Sequence, residues 1–296
     1  MAPNIYNPFA RRESHDRSVL TTYRVLAPLM WLLVVVFGIY YSVREPDDVS
    51  NSHTIWDNFN RRITPFSVEP VVTWIYWVLL LLTQLNYISQ LFSKDTAVVT
   101  SAANIAAHFI LNNLFVFAWI LLWTRNHFWP AEVIVAVHFI HQHLTFWRVH
   151  GLTPLTHLSV IAAPYAWTLL LLFWNGSAAA HTFTPAAEIA ANIFIWVFFV
   201  IGAASIILAV DDLLGYSLSL LSLGLAVQQF TRKRLPLQWI FAWVIFAVFF
   251  VKTLYVTATK YSGRTIYFRR ATEPEPTSTD AERAPLLNDS APVAAA

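Results

Sequence analysis

The sequence predicts an all-α protein, a polytopic transmembrane helix bundle of about eight spans with disordered cytosolic tails at both ends. Three observations predict it. Of 296 residues, 57% are hydrophobic and only 12% are charged, roughly half the charge of a soluble domain. The apolar residues fall in runs of about 20, the length that crosses roughly 30 Å of hydrocarbon. Cysteine is absent, which removes disulfide frameworks, thiolate metal sites, iron–sulfur clusters and cysteine nucleophiles.

Residues 1–21 form a polar, basic head with Arg11, Arg12 and Arg17. No early apolar stretch marks a removable signal peptide, so the first span is expected to direct insertion. Asn7-Pro8-Phe9 matches the NPF tripeptide bound by endocytic adaptor modules, and equally a simple turn, since Asn-Pro initiates turns. The bundle is expected over 22–260, with spans at 22–43, 71–92, 97–123, 130–149, 154–174, 186–210, 213–230 and 237–259. Pro70, Pro130, Pro154, Pro185 and Pro236 stand beside span starts, where a missing N–H costs a helix least. Pro28 and Pro164 lie inside spans and predict kinks, which neighbouring helices accommodate. Trp74, Trp123, Trp129, Trp174 and Trp239 fall near predicted boundaries, as an interfacial belt requires.

The one long connection, 44–70, is a solvated loop or a cap over a site. Asn175-Gly176-Ser177 is a glycosylation sequon, expected to stay unused because it abuts the membrane. Residues 261–296 are rich in Pro, Glu, Ser, Thr and Ala, too poor in apolar side chains to form a core, and are expected to be disordered. Within them Glu282, Leu286 and Leu287 have the spacing of an acidic dileucine sorting signal, in which an exposed apolar pair docks on an adaptor. Such addresses are read by receptors rather than by folding.

Orientation follows from lysine and arginine. With eight spans and a cytosolic N-terminus, Arg11, Arg12, Arg17, Arg24, Lys94, Arg148, Lys260, Arg264, Arg269, Arg270 and Arg283 face the cytosol. Arg44, Arg61, Arg62, Arg125, Arg232, Lys233 and Arg234 face the lumen. Eleven against seven favours this orientation by the positive-inside rule, with the TRKR run at 231–234 in conflict.

Polar side chains inside spans are costly and mark functional sites by default. Asn104, His108 and Asn112 repeat every four residues on the third span and share one face. On the fourth span His138, His141 and Thr145 lie within about 60° of one another, while His143 points nearly the other way. A short connection makes these spans antiparallel neighbours, so His108, His138 and His141 are expected to meet near the midplane. Asn104 and Asn112 complete the expected polar core. Three readings stand for it: interhelical hydrogen bonding, a conduit in which imidazoles relay protons or hold a small solute, and a metal or haem site. The last is disfavoured, because zinc sites want a third or fourth close donor and no carboxylate shares that depth. No metal and no cofactor is therefore expected. P-loop, dinucleotide-binding, zincin and nucleophile-elbow motifs are missing, and the basic residues form no nucleic-acid patch. The expected partners are the lipid bilayer and, through the tail, sorting adaptors.

Trp174-Asn175-Gly176, the run Ala191 to Trp196 and the run Gln238 to Ala242, with the spacing of the spans, resemble a fungal family of multi-pass membrane proteins of unknown function. The resemblance extends over about residues 18–270. It implies a fungal integral membrane protein, plausibly of the vacuole, and carries no catalytic residue across. A fainter likeness is to the androgen-induced threonine/histidine lipid-ester hydrolases, with which a buried midplane histidine is compatible. No local sequence around a nucleophilic threonine matches them. The functional expectations are thus a vacuolar or endolysosomal membrane protein that handles a small solute or protons, an intramembrane lipid-modifying enzyme, or a non-catalytic scaffold or sorting partner.

Overall fold

The structure, a computed structural model, describes residues 7–180, 184–233 and 235–262. Two compact units divide the chain at Ala258 and Thr259. In the second, the described residues are 259–262, and the expected sorting signal at Glu282, Leu286 and Leu287 lies outside the described residues. No strand occurs among the described residues.

The helices follow in order. They are α1 (Arg17–Val43), α2 (Ile55–Arg61), α3 (Pro70–Gln90), α4 (Thr96–Thr124), α5 (Phe128–Arg148) and α6 (Pro154–His157). A π-helical turn (Leu158–Ala162) joins α6 to α7 (Ala163–Ala180), followed by α8 (Pro185–Ala209), α9 (Asp212–Arg232) and α10 (Gln238–Tyr261). Caps set several starts: Glu69 accepts from Val72 N, Asp95 from Ala97 N, Thr184 from Ala187 N and Asp211 from Leu214 N. These side chains satisfy N–H groups that a helix start leaves open. Pro70 and Pro185 open their helices directly behind such caps.

Among the described residues, seven stretches are long and apolar enough to cross a membrane, by length and composition: α1, α3, α4, Pro154–Ala180, α8, α9 and α10. The chain is an integral, multi-pass helical membrane protein. The fourth expected span, α5, is as long as α3 but is not among the seven. Glu132, His138, His141, Gln142 and His143 depress its hydropathy. Its orientation tells more. Val133, Val137, Ile140 and Leu144 are exposed while His138, Gln142 and Thr145 are buried, a lipid-facing stripe at 3.6-residue spacing with the polar groups turned inward. Helix α1 turns out the same kind of stripe with Val25, Leu29, Leu32, Val36, Ile39 and Val43.

Polar contacts sort the connections between helices into two ends. At one end Arg24 Nε donates to Leu91 O (2.8 Å), Thr156 Oγ1 donates to Gln90 Oε1 (2.9 Å) and His157 meets Asp211. At the other, Asn58 Nδ2 donates to Trp123 O (2.7 Å), Arg125 pairs with Asp48, and Asn175 Nδ2 donates to Phe128 O (3.1 Å). Helix α5 therefore begins at the second end and finishes at the first.

The 44–69 connection is built structure rather than loose loop. Helix α2 lays Phe59 against Trp123 and Trp174, with ring centroids 5.9 and 4.3 Å apart. Trp123 and Trp174 are accordingly fully buried and leave the interfacial belt expected of them. Trp74 and Trp129 are exposed. Gln229 Nε2 donates to Thr64 O and Ser67 O, and Gln238 Nε2 to Pro65 O, so this connection also ties down α9 and α10. The segment 231–233 of the TRKR run sits at the same end, with Lys233 over the Phe230 ring.

Pro164 is preceded by the π-helical turn. Ala163 N bonds Leu158 O, five residues back, which releases the Ser159 carbonyl to face Gln84 Nε2 at 3.4 Å. Tyr76 Oη donates to Ala163 O at 2.6 Å. Side chains from α3 thus meet carbonyls around the proline, as helix breaks inside a membrane require.

Candidate functional site

The polar face expected on α4 divides into three levels. At the deepest, Asn112 Oδ1 accepts from Gln142 Nε2 (2.7 Å) and lies 2.9 Å from His138 Nε2. All three side chains are buried. The shared acceptor fixes the proton of His138 on Nε2, because Asn112 Oδ1 has none to give. Phe115 stacks on the His138 ring at 5.2 Å.

One turn nearer the N-terminal end, His108 Nδ1 lies 3.1 Å from His141 Nε2 and 3.0 Å from Thr145 Oγ1. Thr145 Oγ1 also reaches His141 O at 2.8 Å, four residues back on its own helix. Two imidazole nitrogens this close share a single proton, so the pair holds at most one extra charge. When Thr145 donates to its helix carbonyl, its oxygen is free to accept from His108 Nδ1–H. When it turns, its proton can go to His108 Nδ1. His141 Nδ1 is buried without a hydrogen-bond partner.

Asn104 shares a recess with His108 and His141 but takes its hydrogen bonds elsewhere. It lies a further turn outward and clasps the N-terminal segment: Arg12 N donates to Asn104 Oδ1 (2.8 Å), and Asn104 Nδ2 donates to Arg12 O (3.0 Å). His15 Nε2 is 3.0 Å from the same oxygen. The clasp draws Phe9 to 5.0 Å from the His108 ring, and Asn7 closes a turn by accepting from Phe9 N. The NPF tripeptide is thus a turn packed on the bundle.

Between the clasp and the histidine pair is a cavity of about 480 Å³. Its floor is His108, His141 and Thr145, and its mouth carries Arg11, Arg148 and His150. It ends at the histidine pair. Below the His138 level the apolar side chains of Val116 and Val135 are buried. Polar groups resume at Glu132, six residues and roughly 9 Å along the helix. There Asn175 Nδ2 donates to Glu132 Oε2 (2.9 Å), while Asn175 Oδ1 accepts from Trp119 Nε1 (3.2 Å). Asn175 is completely buried, so this amide is a structural bridge and has no room for a glycan.

Two further polar links escape sequence reading. His143 Nδ1 lies 2.8 Å from Tyr165 Oη, which is 3.2 Å from Ser205 Oγ. His157 Nε2 lies 2.5 Å from Asp211 Oδ2. In each case the histidine is visible in the sequence, but nothing in local spacing names its partner on a distant helix. Among the described residues, no group of three or more His, Asp or Glu side chains could hold a metal ion.

No curated protein and no solved structure matches the chain. One family model does. It covers the runs Ala191–Trp196 and Gln238–Ala242 but not Trp174–Gly176, and it begins far later than the resemblance read from the sequence. Residues 188–287 match the family described as "Fungal protein of unknown function (DUF1774)".

Proposed function

We propose that the chain crosses the membrane eight times, with both termini cytosolic, and that the His108–His141–Thr145 cavity is a site for a small solute, with the imidazoles as proton acceptors. The observation that carries this reading is the cavity itself, a recess of about 480 Å³ that ends on a hydrogen-bonded histidine pair inside an apolar bundle. Binding sites of this kind are concave, largely apolar and furnished with a few convergent polar groups. The end-to-end course of α5 supports the eighth crossing. The apolar layer below His138 makes the recess blind, which fits a solute that enters from the N-terminal end better than an open proton wire.

Reconstituted liposomes carrying a trapped pH dye test the reading. Wild-type protein should show proton flux, alone or with a solute, that His108→Ala and His138→Ala each reduce several-fold. Equal flux in all three proteins would remove the histidines from the mechanism.

One observation favours a second reading, an intramembrane lipid-modifying enzyme. Thr145 Oγ1 lies at hydrogen-bond distance from His108 Nδ1, the pairing of a hydroxyl nucleophile with its general base. In that case Thr145→Val abolishes turnover of a lipid ester while Thr145→Ser retains it.

The vacuolar or endolysosomal address belongs to the same proposal and rests on the acidic dileucine spacing of Glu282, Leu286 and Leu287. Replacing Leu286 and Leu287 by alanine should send a tagged protein to the cell surface. Unchanged localisation would remove the signal from sorting.

A further inference from the structure

The cavity has a sign and a side door, and together they specify its ligand. Among the described residues, every ionisable group on its wall is basic or can become so, namely Arg11, Arg148, His150, His108 and His141, and no carboxylate lines it. Arg11 and Arg148 have no hydrogen-bond or ion-pair partner among the described residues. Two arginines at one mouth repel each other, and an oxyanion that accepts from both forks relieves the repulsion. Of the remaining polar lining, Asn104 is engaged with Arg12, while Asn7, Ser101 and Thr145 offer amide and hydroxyl donors that suit such a head.

The wall is not closed toward the bilayer. Leu144 lines the cavity, yet it is 43% exposed and continues the outward stripe of Val133, Val137 and Ile140 on α5. Ile105 and Leu152 add apolar wall beside it. A group seated between the arginines could therefore leave a hydrocarbon chain running out past Leu144 into the membrane.

We propose that this cavity binds an amphiphile with an oxyanion head, phosphate or carboxylate, taken from the leaflet at the N-terminal end. Arg11 and Arg148 hold the head, and the chain exits along Leu144. The inference rests on the reading of the cavity as a binding site and names its ligand class. Basic recesses between membrane helices are known head-group sites. The Asn104 clasp has a defined part in this one, because it holds Arg11 and Phe9 over the mouth. Binding is thus built jointly by α4, α5 and the N-terminal segment.

Spin-labelled lipids test the proposal on the full chain in phosphatidylcholine vesicles. The motionally restricted fraction is measured for labelled phosphatidic acid and for labelled phosphatidylcholine. Wild-type protein should select phosphatidic acid, and Arg148→Gln and Arg11→Gln should each lower that selectivity roughly five-fold, the effect of about 1 kcal/mol per basic residue near a membrane surface. Arg148→Lys should retain most of it. Lys94→Gln, at the same end but outside the cavity, should leave it unchanged. Equal effects from Lys94 and Arg148, or no selectivity in wild type, would overturn the site in favour of general surface attraction. Added inorganic phosphate separates the sources within the class: displacement of the label supports a soluble oxyanion, and no displacement supports a membrane amphiphile. The flux assay is independent of this one. Selective binding without flux retains the oxyanion site and removes transport, whereas flux without selectivity does the reverse.

Discussion

Asp211 does two things at one position. Its Oδ1 caps α9 by accepting from Leu214 N at 2.9 Å, and its Oδ2 meets His157 at the foot of α6. Burial pushes this carboxyl up, but the hydrogen bond and charge of His157, with the backbone N–H groups of Leu214 and Leu213, outweigh it and hold the pKa below the ordinary carboxylate value. A depressed carboxylate contributes stability that is complete above its ordinary pKa and is lost as pH falls through the lowered one. Asp211→Ala should cost about 1–2 kcal/mol through the cap alone. Asp211→Asn, which can still cap, should cost less and should remove the acid-side fall in melting temperature. Thermal unfolding of the purified variants across acidic pH checks both outcomes.

Asp48 behaves in the same direction for a simpler reason, since the Arg125 guanidinium donates to it and keeps it ionised. Its carboxylate form therefore persists in mild acid, so this surface pair should stay intact in an acidified lumen. Such exposed pairs are worth little to stability, and Asp48→Asn should leave the melting temperature nearly unchanged. At this scale the sequence was a partial guide. The four-residue spacing put Asn104, His108 and Asn112 on one face, as the structure has them, but depth separates them into a clasp, a histidine pair and a buried acceptor. The segment that Asn104 holds is 92 residues away in the chain, a distance that periodicity does not report.

Among the elements, α9 meets its neighbours through glycine at two contact points. A Cβ on Gly215 would stand 2.1 Å from Thr253 Oγ1 of α10, and one on Gly224 would stand 2.5 Å from Val68 Cγ1. Small residues permit this approach between membrane helices. Gly215→Ala should destabilise the protein by about 1–3 kcal/mol, the usual cost of overpacking. A companion Thr253→Ala should restore part of the loss. Melting temperatures of the single and double variants measure the coupling, and additive effects would show that the two positions do not touch.

Helix boundaries were the most legible feature of the chain, because apolar run lengths and flanking prolines mark them. The seven-residue α2 and the π-helical turn before Pro164 were not legible. The first depends on Phe59 finding Trp123 and Trp174, and the second on Tyr76 and Gln84 reaching released carbonyls. Helix α5 shows the opposite case. Its mean hydropathy hides it, while the spacing of Val133, Val137, Ile140 and Leu144 displays its membrane face.

For the whole molecule, the absence of cysteine makes topology directly measurable. Single cysteines at Asp47, Lys94 and His150 should react with a membrane-impermeant maleimide from two different sides. On the eight-span reading proposed above, Lys94 and His150 label from one side and Asp47 from the other. If α5 does not cross, His150 and Asp47 label together. The site as a whole was legible only as chemistry: the histidines announced polar groups in hydrocarbon, but the cavity, its arginine mouth and its N-terminal wall arise from three separate segments.

The 62–68 segment has a consequence for the order of events during synthesis. Its carbonyls at Thr64, Pro65 and Ser67 receive the amides of Gln229 and Gln238, 162 to 173 residues later in the chain. The 62–68 segment therefore emerges from the ribosome with acceptors that remain unfilled until Gln229 and Gln238 have been made. Helices α9 and α10 complete a joint prepared long before them in the chain. A chain truncated before Asp212 should be inserted and then cleared by quality control, while α9 and α10 supplied as a separate polypeptide should rescue it.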